Sequence, residues 1–151
     1  MAAIYVGSLD GNQEATYLTL PVANSATVTE GDFVYFSSGR VTSASIAGAR
    51  LIGVAESTVT GNAAGTNKVM VNVTPNARYI VDNDNDSTTF AASHVGTYFD
   101  LTGATGAQLV DTSTTGTSGQ LLCLEYNPKI APYGSDTSRG LFVIAEHALK
   151  I

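Results

Sequence analysis

The densest run of metal-ligand side chains in this chain is Asp82-Asn83-Asp84-Asn85-Asp86, three carboxylates and two amides in five residues. Hard cations take oxygen ligands of these types, so a bound cation is one reading of the string. An EF-hand loop starting at Asp82 needs Gly at its sixth position and Glu at its twelfth. The sequence supplies Ser87 and Ser93, and that motif fails. The other reading is a turn after a strand, because Asp and Asn tolerate the left-handed conformation and hydrogen-bond their own backbone. Both readings stand for Asp82, Asp84 and Asp86, and the sequence assigns no metal ligand.

The remaining reactive residues are isolated. His94 and His147 are the two histidines, without HxxxH or HExxH spacing and without a cysteine pair to complete a zinc site. Each reads as structural, His94 near a surface turn and His147 in a terminal strand beside Glu146. Cys123 is the single cysteine, so no intrachain disulfide forms. It lies in the apolar run "QLLCLEY" with no positioned base nearby, which marks it as a small core residue rather than a nucleophile. The strings "GATG" (103–106) and "GTSG" (116–119) match neither GxxxxGK[ST] nor GxGxxG, and read as turns. There is no GxSxG elbow. The sequence therefore assigns no catalytic residue and no cofactor site, and a hydrolase with a scattered site is the weakest of the functional readings.

The segments that position these residues are β-like. In "KVMVNVT", Val69, Val71 and Val73 share one face, and Lys68, Met70, Asn72 and Thr74 the other. "QLLCLEY" sets Leu122, Leu124 and Tyr126 on one side. "LFVIAEHAL" is apolar on both faces, Phe142 and Ile144 against Leu141, Val143 and Ala145, as in a central strand or a subunit contact. "EGD" launches "FVYFS", and "SSG" turns it into "RVTSAS" as a hairpin. "RLIGVAEST", "ARYIVDN", "TYFDLTG" and "AQLVDTS" supply further strands, and the turns between them fit a meander. "GNAAGTN" (61–67) reads as a flexible loop, and Pro75-Asn76 as a bend. One helical turn fits "STTFAASHVG", capped by Ser87 or Thr88 and ended by Gly96. "NPKIAPYGSDTSRG" is a long connection. The organisational break falls near residue 27. Residues 1–26, with "AIYVGSL" and "TYLTLPV", are an N-terminal arm or the first strands, and residues 27–151 are a β-barrel-like domain.

Composition narrows the function classes. The chain has 151 residues, 44% apolar and 13% charged, with 19 threonines and 13 serines supplying uncharged polarity. That suits one folded domain, and a surface poor in like-charge repulsion suits a subunit of an assembly. A net charge of −6, with no two basic residues adjacent, excludes electrostatic capture of nucleic acid and disfavours an anionic membrane. No run approaches the length of a membrane span, and the N-terminal stretch lacks a signal-peptide pattern, which implies synthesis in the cytoplasm.

The order "VTEGDFVYFSSGRVTSAS…RLIGVAEST…KVMVNVT", followed by "FAASHVGTYFDLTG" and "LLCLEYNPKIAPYGSDTSRGLFVIAEHALK", resembles the capsid decoration (cement, head-stabilising) proteins of tailed bacteriophages over residues 27–150. The resemblance implies an all-β fold, a small barrel or sandwich of short antiparallel strands with at most one short helix. It implies no catalytic activity and no cofactor. The implied partner is the major capsid protein, bound on the outer surface of the expanded virion shell, with a trimer as the favoured homo-oligomer. Many such proteins carry an N-terminal arm that adds a strand to the capsid. Ile4, Tyr5 and Val6, an apolar run in the candidate arm, are therefore the expected capsid contacts. The alternative function is a tail- or fibre-associated β domain that binds host-surface carbohydrate.

Overall fold

In the computed structural model, described over residues 3–11, 14–43, 46–84, 90–126 and 139–149, the "KVMVNVT" pattern works as its spacing predicts. Val69, Val71 and Val73 are buried together, while Lys68 and Met70 face solvent. The same alternation builds thirteen strands among the described residues: β1 (Ile4–Ser8), β2 (Tyr17–Pro21), β3 (Thr27–Val28), β4 (Phe33–Ser37), β5 (Arg40–Thr42), β6 (Leu51–Ala55), β7 (Val59–Thr60), β8 (Lys68–Asn72), β9 (Ala77–Asp82), β10 (Tyr98–Thr102), β11 (Leu109–Gly116), β12 (Leu121–Tyr126) and β13 (Arg139–Ile144). A single 3-10 turn, Ala92–His94, is the helical element described. The fold is all-β and antiparallel in every strand pairing.

Two sheets carry the structure. One runs β2-β8-β6-β4-β5 and the other β1-β9-β13-β12-β10-β11, with β3-β7 as a small third pair. Each large sheet curls, and a parallel bridge joins strands that lie apart in its order, Val22 with Val41 in the first and Asn83 with Val110 in the second. Curling encloses one core per sheet. The first core is narrow and mostly valine: Val22, Val34, Val41, Val69 and Val71 pack there with Ile52. The second is wider and aromatic: Phe90, Phe99 and Phe142 meet edge-on or tilted, Tyr79 meets Phe33 of the first sheet edge-on, and Leu51 and Val54 of that sheet pack in beside them. β-Branched side chains fill the tighter curl and rings fill the larger one.

The meander expected from the turns does not hold. β4-β5, β10-β11 and β12-β13 are sequential pairs, whereas β1-β9, β2-β8 and β9-β13 join strands far apart in the chain. A period of two specifies which face a side chain takes and is silent about which strand lies alongside. The expected hairpin is present. Ser38 and Gly39 take φ of 50° and 78°, the two positive values of a type I′ turn between β4 and β5. β13 is central and buried, as its two apolar faces require. In β12 the interior face is Leu121 and Cys123. Leu122 and Leu124 are half-buried and Tyr126 is exposed. The loop at 61–67 is tied down rather than loose. Asn62 Oδ1 accepts from the Thr66 and Asn67 N–H groups, and Arg40 donates to the Asn62 and Ala63 carbonyls.

The two strand-like pieces of residues 1–26 both pair inside this fold. β1 lies against β9, and β2 against β8 over five residue pairs. Thr16 continues the second pairing, donating to Thr74 Oγ1 and accepting from the Val73 N–H.

Buried polar side chains stitch the sheets together. Gln108 mimics a paired strand, accepting from the Phe33 N–H at 2.7 Å and donating to the Phe33 carbonyl at 3.1 Å. Gln120 accepts from the Leu101 N–H and donates to the Ile46 and Ala49 carbonyls. Asp32, 2% exposed, accepts from the Thr29 N–H, the Ser43 hydroxyl and the Gly106 N–H.

Candidate functional site

β1 is the edge strand of the six-stranded sheet, with β9 as its one strand neighbour among the described residues. Ile4 pairs with Ile80 and Tyr5 with Tyr79, and the register then slips before Ser8. The slip falls at Gly7, whose φ of +99° is a left-handed value that suits glycine. Arg78 fills the gap by donating to the Val6 carbonyl at 3.1 Å. Ile4, Tyr5 and Val6 are each half-buried. Alternation turns Tyr5 inward, onto the aromatic core and 6.0 Å from the Tyr79 ring centroid.

Beside β1 lies an open groove of about 270 Å³. Ile4 and Tyr5 form one wall, Val54, Ala55 and Glu56 the other, and Glu30 and Gly31 one end. Backbone bonds hold the walls in place. The Ala3 N–H donates to the Gly31 carbonyl, and the Gly31 N–H to the Ala55 carbonyl. Tyr17 pairs with Asn72 and Thr19 with Met70, and Asn72 pairs with Val54. Tyr17, Asn72, Met70 and Glu56 therefore share a sheet face with Val54. Tyr17 and Met70 are exposed on it, at 46% and 45%.

The electrostatics of the groove are acidic. Partial burial raises the Glu56 carboxyl above its ordinary value of 4.5, and the nearby Glu30 charge raises it further. Asn72, whose Oδ1 accepts from the Thr74 N–H and hydroxyl, acts the other way and favours the ionised Glu56 carboxylate. Tyr79 is fully buried, and its hydroxyl has no hydrogen-bond partner among the described residues. Burial pushes that hydroxyl far above the usual tyrosine range, and Tyr5, Glu56 and Tyr17 add to the rise. Two carboxylates, Glu30 and Glu56, and the Tyr5 phenol thus line one open groove.

The other residues singled out by type are held by their own surroundings. Asp82 pairs with Arg139, Nε to Oδ1 at 3.1 Å. Asp84 accepts from the Thr112 N–H and hydroxyl. Asn83, between them, is buried at 4% exposure. Asp82, Asn83 and Asp84 form a sheet junction, and among the described residues no three His, Cys, Asp or Glu side chains gather as for a metal ion. Asn85, Asp86, Ser87 and Thr88 lie outside the described residues, as does most of the long connection at 127–140. His94 Nδ1 accepts from the Ala91 N–H, and its ring packs edge-on against Phe90 and Phe99. His147 lies just beyond β13, buried, with Nδ1 accepting from the Leu149 N–H. Cys123 is fully buried and free, and burial pushes its thiol up to about 11. Gly103 and Gly106, with φ of 92° and 77°, make the turn between β10 and β11. No helix among the described residues is long and apolar enough to cross a membrane.

Sequence reasoning reached Ile4 and Tyr5 but not Glu30, Glu56, Tyr17 or Tyr79. These come from four separate stretches of the chain, set by the β1-β9, β2-β8 and β6-β8 pairings and by the Gly31–Ala55 backbone bond. The one local signal is Glu56, an acid placed directly after the apolar run "LIGVA". The chain matches no protein-family model, no curated protein and no solved structure.

Proposed function

We propose that this chain is a structural virion protein that binds the outer surface of a tailed-phage capsid and stabilises the expanded shell. The observation that carries the reading is the β1 edge. Ile4, Tyr5 and Val6 sit half-buried on a strand with one neighbour among the described residues. Such an edge can add a strand of a partner through main-chain hydrogen bonds, while flanking side chains set the register. The resemblance in strand order to capsid decoration proteins supports the same role. So does the low charge, which suits a surface that is covered in an assembly. A trimer on the shell multiplies modest contacts by symmetry. Nothing in this role calls for catalysis, nucleic-acid binding or a membrane.

Co-sedimentation with expanded and unexpanded shells of the phage encoding the chain tests it. Saturable binding to expanded shells, weakened by Tyr5→Asp, is the expected result. Glycan-array binding without shell binding would replace this reading with the carbohydrate-binding one.

A further inference from the structure

We infer that strand β2 pairs with β2 of a second copy of the chain, antiparallel about a two-fold axis at Leu18. This surface is separate from the β1 edge, and the inference does not rest on the capsid role.

The main chain shows which groups are open. The Val73 N–H donates to the Thr16 carbonyl, and the Val22 N–H to the Asn67 carbonyl. Both bonds continue the β2-β8 ladder, so the even-numbered residues of β2 turn their N–H and C=O groups toward β8. The odd-numbered residues turn theirs away. Of these, Ala23 donates to the Val41 carbonyl, and Pro21 has no N–H. Tyr17 and Thr19 are left with a donor and an acceptor each on the outer side, where no strand lies alongside them among the described residues.

Two other outer strands are closed. In β5, Val41 bridges to Val22. In β11, Val110 bridges to Asn83 and accepts from the Asp84 N–H, and the Thr112 and Ser113 N–H groups donate to the Asp84 and Asp111 carboxylates. Edges are normally blocked in such ways, by a cover, a charge or a bulge. Tyr17, Leu18 and Thr19 have none of these. They are exposed, uncharged and in regular register with β8.

A second β2 fits this edge by its own symmetry. With the axis at Leu18, Tyr17 of each copy meets Thr19 of the other, and each of these pairs exchanges both main-chain bonds. Moving the axis to Thr19 would set Tyr17 against Pro21, which has no N–H to donate. Leu18 meets its own copy on one face. On the other face Tyr17 meets Thr19, whose neighbour in β8 is Met70. Leu18, Tyr17 and Met70, exposed at 39%, 46% and 45%, are covered together. Residues 15–22 carry no charge, so the copies meet without like-charge repulsion. The exposed parts of these side chains and Thr19, from both copies, come to an area on the order of 700 Å². A stable dimer needs about 1,200 Å² or more, so free chains pair weakly and the contact closes where copies are already held side by side.

The test is oxidative cross-linking of Leu18→Cys. Antiparallel partners of the non-hydrogen-bonded kind have Cα atoms about 4.5 Å apart, within the span of a disulfide. Met70→Cys is the control, similarly exposed but three strand spacings, about 14 Å, from its copy. Cys123 is buried and stays out of the reaction. Leu18→Cys should form linked dimers at least about tenfold faster than Met70→Cys. Adding Thr19→Pro removes one outward N–H per copy and no bond to β8, and should slow the linkage at least about fivefold. A thermal melt reports that each variant is folded. Sedimentation equilibrium of the unaltered chain should give self-association with a dissociation constant on the order of 0.1–1 mM. Equal rates for the two cysteine variants, undiminished linkage with Thr19→Pro, or an unaltered chain that stays monomeric at about 1 mM each overturn the inference. Loss of shell binding with Thr19→Pro, when Leu18→Cys gives no linkage in the free chain, would put a capsid strand on this edge and overturn it too. Linkage at Leu18 in a chain that binds no shell would keep the inference and reject the capsid role.

Discussion

Replacing Asp32 by Ala should cost more stability than any other single polar truncation in the joint between the two sheets. The carboxylate is 2% exposed and accepts three hydrogen bonds: Thr29 N–H at 2.9 Å, Gly106 N–H at 2.8 Å and Ser43 Oγ at 3.1 Å. Ser43 has a second partner in Thr105 Oγ1 at 2.9 Å, so its hydroxyl can turn away. The two backbone N–H groups are fixed by the turns that carry them and are only part-buried. Leaving a buried donor unpaired costs about 1–3 kcal/mol. Two of them, partly reachable by water, give an expected loss of about 3 kcal/mol. For a chain of this size that lowers Tm by about 6–12 °C. Urea unfolding followed by tyrosine fluorescence and far-UV circular dichroism measures it, with the denaturant slope unchanged if the native fold persists. Asp32→Asn keeps one acceptor but turns an amide toward an N–H, so it should fall between wild type and Ala. A loss below about 1 kcal/mol for Asp32→Ala would refute the argument. It would show that water or a loop shift satisfies both donors.

Further outcomes follow from other positions. Gly53→Ala should unfold the chain or cost at least about 3 kcal/mol, because a Cβ there would collide with the Asn72 carbonyl across the β6-β8 pairing; soluble yield and a thermal melt read it. Glu56 holds its proton more tightly folded than unfolded, so its ionisation destabilises the fold, and its contribution is lost as pH rises through the carboxylate range. Glu56→Gln should therefore unfold at higher urea than wild type at pH about 7, with the advantage gone at pH about 3, below the unfolded carboxylate value. Cys123, buried with its thiol raised to about 11, should react with a thiol reagent at pH about 8 only as fast as the fold opens, and at full rate in denaturant. A chelator should leave Tm unchanged, since Arg139 and Thr112 already engage Asp82 and Asp84.

The local pattern was legible because strands report their faces residue by residue. Val69, Val71 and Val73 were readable as an inward row, Ser38-Gly39 as a hairpin turn and β13 as a central strand. Ile4 and Tyr5 were legible as an apolar run, though the run by itself did not reveal that β9 is its partner. The acidic groove was not legible. Glu30, Glu56 and Tyr79 are 26 and 23 residues apart along the chain and share no spacing rule.

The amino-acid order alone determined the strands, their buried faces, the tight turns and the acidic, charge-poor surface, since each depends on neighbours within a few residues. Tertiary structure decided the rest. Two curled sheets rather than a meander, the burial of Asn83, the Asp32 junction and the groove under Tyr5 all depend on which strands meet. Pairing is a contest among long-range contacts of similar local fitness, and it is settled by how whole faces fill two closed cores.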